Sequence, residues 1–155
     1  MALKDKINHD LKAALLDGDR LTSEVIRGLK ATIHNEEVAQ GKRDEDLDDG
    51  AIEQLIVKEV KKRNESANIY DSAKRPELAK KERVEAAVLS GYLPEQLNEG
   101  QINDVINRVI GNLGVSDFSA MGQVIGVVKN ELGNTADGAI IAKLVKKALN
   151  SNKEE

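Results

Sequence analysis

The six residues GNTADG, at positions 133–138, have a spacing that is found in phosphate-binding loops. Two glycines separated by four residues occur in the loops that cradle the phosphates of nucleoside triphosphates. Those loops continue with a lysine and a hydroxyl residue, which reach the phosphate and its magnesium ion. This chain continues with Ala139 and Ile140 instead, so the segment does not predict a nucleoside triphosphate site.

The acidic stretch GKRDEDLDDG, at residues 41–50, has the composition of a calcium-binding loop. A calcium loop that began at Asp44 would place Asp49 where glycine is needed for a sharp turn. It would also place Leu55 where the bidentate glutamate belongs. We therefore interpret this run of charges as a solvated loop between helices.

The sequence offers few side chains for transition-metal binding or nucleophilic catalysis. The chain has no cysteine, and its two histidines, His9 and His34, fall on different predicted helices without a third nitrogen or sulfur ligand nearby. The spacing of serine, histidine and aspartate does not build a catalytic triad, and the pattern predicts no apolar pocket that would tune a carboxylate as a general acid. We predict no catalytic residue, no metal site and no cofactor for this chain alone.

Four glycines interrupt MGQVIGVVKNELGNTADGAI, at residues 121–140, although its apolar residues repeat at helical spacing. On a helical projection Gly122 and Gly126 fall together, roughly 100–150° from the centre of the apolar stripe. Each glycine costs up to about 1 kcal/mol relative to alanine in a helix, so the notch indicates a close approach to the backbone. A tightly packed neighbouring helix and a ligand such as a phosphate both remain open. The stripe itself consists of Met121, Val124, Ile125, Val128 and Leu132.

Composition indicates an all-α protein. Aromatic residues make up 2% of the 155 residues and hydrophobic residues 40%, which favours aliphatic helix packing over an aromatic-rich β-sandwich. No N-terminal apolar run is long enough for a signal peptide or a spanning helix, and disulfides are impossible without cysteine. We therefore expect a cytoplasmic protein without a membrane segment. Because the net charge is −4, any nucleic-acid binding has to be local.

The hydrophobic period and the capping residues predict seven helices. Either Asp48 or Asp49 is expected to cap the third of them. Pro94 cannot continue the fourth helix, so we predict an N-terminal domain of about four helices at residues 1–93 and a three-helix domain at 94–155. The predicted helices are 3–17, 21–39, 51–73, 76–91, a fifth opened by a capping box from Asn98 to Gln101, a sixth capped by Ser119 and ending near 132, and a seventh over 138–149 capped by Asp137.

Two charged residues fall on apolar helix stripes. Glu36 projects into the Leu21/Val25/Leu29/Ile33 stripe of the second helix, and Arg63 lies in line with the apolar residues of the third. A lone charge on an apolar stripe needs a partner, so we predict that Glu36 and Arg63 form a structural ion pair between the two helices.

The chain resembles the GatB/YqeY family of stand-alone proteins in four segments, MGQVIGVVKNELGNTADG, YLPEQL, VIRGLKATIHNEE and KKRNESANIYDSAKR. The resemblance covers nearly the whole chain. It implies a helical N-terminal domain and a small C-terminal helical domain similar to the tail of the GatB protein of tRNA-dependent amidotransferases. In those enzymes the tail contacts tRNA, whereas the activation and glutamine-hydrolysis chemistry lies in parts too large for 155 residues.

The resemblance carries the family's tail residues over to Gly122, Gly126, Ala136, Asp137 and Gly138. The sequence also departs from the family in the same segment. Lysine or arginine is common in the family at positions where this chain has Gln123, Glu131 and Thr135, and glycine is usual at Asn134.

Two functions of different classes follow. The first is a non-catalytic tRNA-binding accessory module related to glutamine-dependent amidation of aminoacyl-tRNA, a carbon–nitrogen ligase reaction that needs catalytic parts from a partner. The second is a protein–protein adaptor without RNA binding. The expected partners are tRNA and an amidotransferase or aminoacyl-tRNA synthetase component. The RNA-binding candidates are Gly122, Gly126, Lys129, Asp137, Gly138, Lys143, Lys146 and Lys147.

Overall fold

The computed structural model describes residues 2–41 and 45–153, and within these ranges it contains helices and no strand. The all-α prediction is confirmed. Two short 3₁₀ helices, Phe118–Ala120 and Gly133–Thr135, flank the α-helix Met121–Leu132. The seven α-helices of the described residues are α1 (Leu3–Leu16), α2 (Arg20–Ala39), α3 (Asp49–Ser72), α4 (Pro76–Ser90), α5 (Glu99–Leu113), α6 (Met121–Leu132) and α7 (Gly138–Lys153).

Three of the predicted helix caps are present. The Asp48 carboxylate accepts a hydrogen bond from the Ala51 N–H at 2.8 Å and caps α3. At the start of α5, Asn98 and Gln101 exchange side-chain to backbone hydrogen bonds at 2.8 and 3.0 Å, which completes the capping box. Asp137 accepts from the N–H of residue 139 at 3.1 Å in the first turn of α7.

The predicted cap of α6 is wrong. Ser119 lies inside the 3₁₀ helix Phe118–Ala120, which runs directly into α6, and the residue at the N-cap position makes no side-chain cap bond. The chain enters this turn at Asp117, whose backbone is extended. A capping side chain needs such an extended, non-helical backbone, and Ser119 already belongs to the turn.

The contacts divide the chain into two compact units, Met1–Leu93 with α1–α4 and Pro94–Glu155 with α5–α7. Each unit has its own core of aliphatic side chains. A fully buried side chain of this kind stabilises the fold by about 1.5–3 kcal/mol. The fully buried residues of the first core include Ile7, Ile26, Ile52 and Ile56, and those of the second include Ile106, Val124, Val128 and Ile141.

Among the described residues of the first unit, Glu37 is a buried carboxylate. It directly follows Glu36, the glutamate that the sequence pattern placed on the apolar stripe of α2. Glu37 is only 5% exposed, and it accepts hydrogen bonds from the Lys4 ammonium at 2.9 Å and from the Leu47 N–H at 3.2 Å. Lys4 also bonds Asp46 at 2.5 Å, and this bond, together with Glu37, raises the pKa of Lys4 above its usual value. The segment before α3 is therefore not simply a solvated loop, although residues 42–44 of it lie outside the described residues.

The predicted pair of Glu36 and Arg63 is wrong, because each side chain has other partners. The Arg63 guanidinium forms an ion pair with Glu85 of α4 and lies 3.7 Å from Glu82. Glu36 is half-buried and accepts a hydrogen bond at 2.7 Å from Gln40, the C-cap residue of α2. Arg63 thus joins α3 to α4, the helix that packs along it most extensively.

The turn between α3 and α4 contains a lysine with a left-handed backbone. Lys74 has φ +60°. Its N–H donates to the Asp71 carbonyl, and the N–H of the next residue, Arg75, donates to the Tyr70 carbonyl. This is the hydrogen-bond pattern that closes a helix when glycine occupies the left-handed position. A side chain at that position costs on the order of 1 kcal/mol, because the Cβ approaches the following carbonyl oxygen.

We expect Lys74→Gly to raise the free energy of unfolding by about 0.5–1 kcal/mol, because it removes this backbone strain. Urea unfolding followed by circular dichroism measures the change. Ser72→Gly, in the last turn of α3, is the matched control and should lower stability by a similar amount. A loss of stability in Lys74→Gly would contradict the left-handed conformation.

We expect Arg63→Ala to destabilise the protein by about 2–3 kcal/mol, because the Glu85 side chain is only 14% exposed and would lose its partner. A double-mutant cycle with Glu85→Ala should give a coupling energy on the order of 1–2 kcal/mol. The same cycle with Glu36→Ala should be additive within about 0.5 kcal/mol. Coupling to Glu36 instead of Glu85 would refute the observed pairing.

Candidate functional site

The glycine face of α6 is open. Gly122 and Gly126 are exposed, and a Cβ atom added at either position would meet no heavy atom within 4 Å. Packing against a neighbouring helix within the described residues therefore does not explain these glycines. The buried face of the same helix carries Val124 and Val128, which pack in the core of the second unit.

Lys129 lies at the C-terminal end of this glycine face. At 3.6 residues per turn, Gly122, Gly126 and Lys129 fall within an arc of roughly 60° on α6. The lysine side chain reaches the start of α7, where a Cβ on Gly138 would lie 3.0 Å from its Cε and 3.1 Å from its Nζ. Glycine at position 138 therefore makes room for the lysine. The structure brings Lys129, Gly138 and the adjoining cap residue Asp137 together at the N-terminal end of α7.

The predicted lysines of α7 lie elsewhere on that helix. Lys143, Lys146 and Lys147 are all exposed. They project roughly 80–180° around α7 from Gly138, as helical geometry requires. Lys129 and the α7 lysines thus meet different sides of α7 and do not form one cluster.

A surface ion pair reduces the positive potential near the glycine face. Arg108 of α5 pairs with Glu131 of α6, and their side chains are 51% and 40% exposed. Glu131 is one of the positions at which the sequence departs from the basic residues of the resembling family. Its carboxylate offsets Arg108, and residues 98–155 contain six lysines and arginines against seven acidic residues.

The loop between α6 and α7 is held by the segment just before α5. The Gln96 amide donates to the Asn134 carbonyl, and the Leu97 N–H donates to the Thr135 carbonyl, both at 2.9 Å. Gly133 has φ +55°, a conformation that side chains rarely adopt. The contacts of Gln96 and Leu97 were not predicted from the sequence. The available signal was that both residues lie in YLPEQL, one of the four segments that carry the family resemblance.

The two histidines lie on different helices, His9 on α1 and His34 on α2. Among the residues that the structure describes, there is no group of three or more histidine or acidic side chains that could hold a metal ion. Of the helices within residues 2–41 and 45–153, none is both long and apolar enough to cross a bilayer.

A family model described as Yqey-like protein matches residues 4–149. The chain belongs to the YqeY-like family. It is also similar to the protein named "Altered inheritance of mitochondria protein 41, mitochondrial" of two fungi. The Pyrenophora tritici-repentis protein is 27% identical over 93% of this chain and 79% of its own length. The Kluyveromyces lactis protein is 34% identical over 79% of this chain and 66% of its own length.

These fungal names overturn the cytoplasmic prediction. The relatives are named as mitochondrial proteins, which contradicts the expectation of a cytoplasmic protein. The prediction rested on the lack of cysteine and of a long apolar run, and neither feature distinguishes one aqueous compartment from another.

A further relative is part of an enzyme that acts on tRNA. A glutamyl-tRNA(Gln) amidotransferase subunit of Methanosarcina acetivorans is 28% identical over 142 residues, which are 88% of this chain and 18% of that protein. The YqeY-like family is thus related to the C-terminal tail of these amidotransferase proteins. The matched length is more than twice that of Pro94–Glu155, so most of the match falls in the N-terminal unit.

Proposed function

We propose that this YqeY-like protein is a non-catalytic accessory module that binds tRNA and is related to glutamine-dependent amidation of aminoacyl-tRNA. The observation that carries the proposal is the open glycine face of α6, which ends at the Lys129 ammonium beside the first turn of α7. Two exposed glycines in a helix lower its stability without any packing gain inside the chain. A backbone that must come close to this helix explains them.

The chemistry of this surface suits a phosphate group. A sugar–phosphate backbone can approach the glycine face without meeting a side chain, and Lys129 supplies positive charge at its end. The N-terminal end of α7 adds partial positive charge from its N–H groups. Asp137 opposes an anion here and already occupies one of those N–H groups, so the binding is weak.

A protein–protein adaptor is the second candidate function. Val127 on α6 and Ile140 on α7 are 39% and 37% exposed, and a helix of a partner protein would bury such side chains. The partner in that case is an amidotransferase or aminoacyl-tRNA synthetase component, as the relationship to the amidotransferase tail implies.

We expect Gly126→Leu in the full chain to lower tRNA affinity by roughly tenfold or more, because the added side chain blocks the approach of the backbone. Gly126 is exposed and a Cβ there would meet no heavy atom within 4 Å, so we expect the fold to tolerate the substitution. Filter binding to folded tRNA at low salt measures the effect. Gly111→Leu adds the same side chain at an exposed glycine of α5, where a Cβ would also meet no heavy atom within 4 Å, and is the matched control.

Charge reversal tests the lysines in the same assay. Lys143→Glu combined with Lys146→Glu should lower the log–log salt slope by about 2. Four of the six basic residues in the C-terminal unit are RNA-binding candidates, so contacts through these four lysines alone cannot give a slope above roughly 3–4. Failure of the unmodified chain to bind tRNA at low salt would reject the RNA proposal and favour the adaptor.

A further inference from the structure

The hairpin of α3 and α4 is the most basic part of the chain. Residues 58–85 contain nine lysines and arginines and six acidic residues, a local charge of +3 in a chain whose net charge is −4. We call this segment the basic hairpin. Its charge contrasts with that of the C-terminal unit, where acidic residues outnumber basic ones.

Ion pairs within the basic hairpin neutralise three of its cations. Arg63 pairs with Glu85, Arg83 pairs with Asp71 at 2.5 Å, and Lys62 lies 3.7 Å from Glu59. The other six cations are exposed, and no ion pair joins them to a carboxylate in the part of the chain that the structure describes. These six are Lys58, Lys61, Lys74, Arg75, Lys80 and Lys81.

The unpaired cations extend along the hairpin and do not form one cluster. Lys58 and Lys61 lie on α3, Lys74 lies in the turn, and Lys80 and Lys81 lie on α4. At 1.5 Å per residue, the distance from Lys58 to the turn is roughly 24 Å along the helix. Cations distributed over this length can meet several phosphates of a nucleic-acid backbone, whereas a single carboxylate of a partner protein would meet only one or two of them.

We propose that the basic hairpin binds the phosphate backbone of RNA and provides the larger part of the electrostatic attraction to tRNA. This inference rests on the proposed tRNA-binding function, and it places a second contact surface in the N-terminal unit. Most of the region matched by the amidotransferase relative lies in that unit. The ion pairs of Arg63 and Arg83 hold α3 against α4, so the unpaired cations are displayed on a rigid pair of helices.

The test compares variants of the full chain in filter binding to folded tRNA over a range of salt concentrations. The hairpin variant combines Lys61→Glu, Lys80→Glu and Lys81→Glu, at three exposed positions without ion pairs. The control combines Lys12→Glu, Arg27→Glu and Lys30→Glu, which reverse the same number of exposed charges on α1 and α2. Circular dichroism and thermal unfolding check that both variants fold.

We expect the unmodified chain to show a log–log salt slope above about 4, more than the four candidate lysines of the C-terminal unit can supply. The hairpin variant should lose roughly tenfold or more in affinity at low salt and about 2–3 in slope, and the control variant should lose much less. Equal losses in the two variants would show a nonspecific effect of net charge and overturn the inference.

The variants also separate this inference from the proposed C-terminal site. Loss of binding in Gly126→Leu with full binding in the hairpin variant would overturn the hairpin inference and leave the C-terminal site standing. The reverse pattern would support the hairpin and reject the C-terminal site. If the hairpin variant unfolds, Lys80→Gln with Lys81→Gln replaces it, and unchanged affinity and salt slope in that variant would overturn the inference. No binding by the unmodified chain would overturn both.

Discussion

The N-terminal unit depends on one buried carboxylate. Glu37 is almost completely removed from water, and an unpaired charge in such a place costs several kcal/mol. Lys4 of α1 and the Leu47 N–H satisfy it, and the Leu3 N–H donates to Asp49 at 3.0 Å beside them. These bonds connect the start of α1 and the segment before α3 to Glu37, in the last turn of α2. They hold the start of α3 beside the start of α1, next to the contacts that the core makes with α3.

The C-terminal unit has a comparable constraint in its backbone. Gln96 and Leu97 bind the carbonyls of the loop between α6 and α7, and the left-handed turn at Gly133 reverses the chain there. This arrangement brings the last turn of α6 to the first turn of α7. Lys129 reaches Gly138 as a result. Gln96 and Leu97, which precede α5, thereby help to position the charged end of the glycine face.

The open glycine face and the basic hairpin lie on different units of the protein. The open glycine face lies on a unit with little positive charge. Glu131 offsets the charge of Arg108, and Asp137 lies next to Gly138, where the Lys129 side chain contacts α7. Among the described residues, six exposed cations without an ion pair lie on the α3–α4 hairpin. The two surfaces that we propose for tRNA lie on separate units, and a long ligand is expected to contact both more readily than a small one.

The sequence by itself determined the helices and three of their caps, since hydrophobic period and capping bonds involve residues within a few positions of each other. It also located the notch of Gly122 and Gly126. Only the tertiary structure decided that Glu37 and not Glu36 is buried, and that Arg63 meets Glu85. One residue turns a helical side chain by roughly 100°, so the rotation of each helix against its neighbours selects the partner. That rotation is set by the packing of whole cores, which no local stretch of sequence contains.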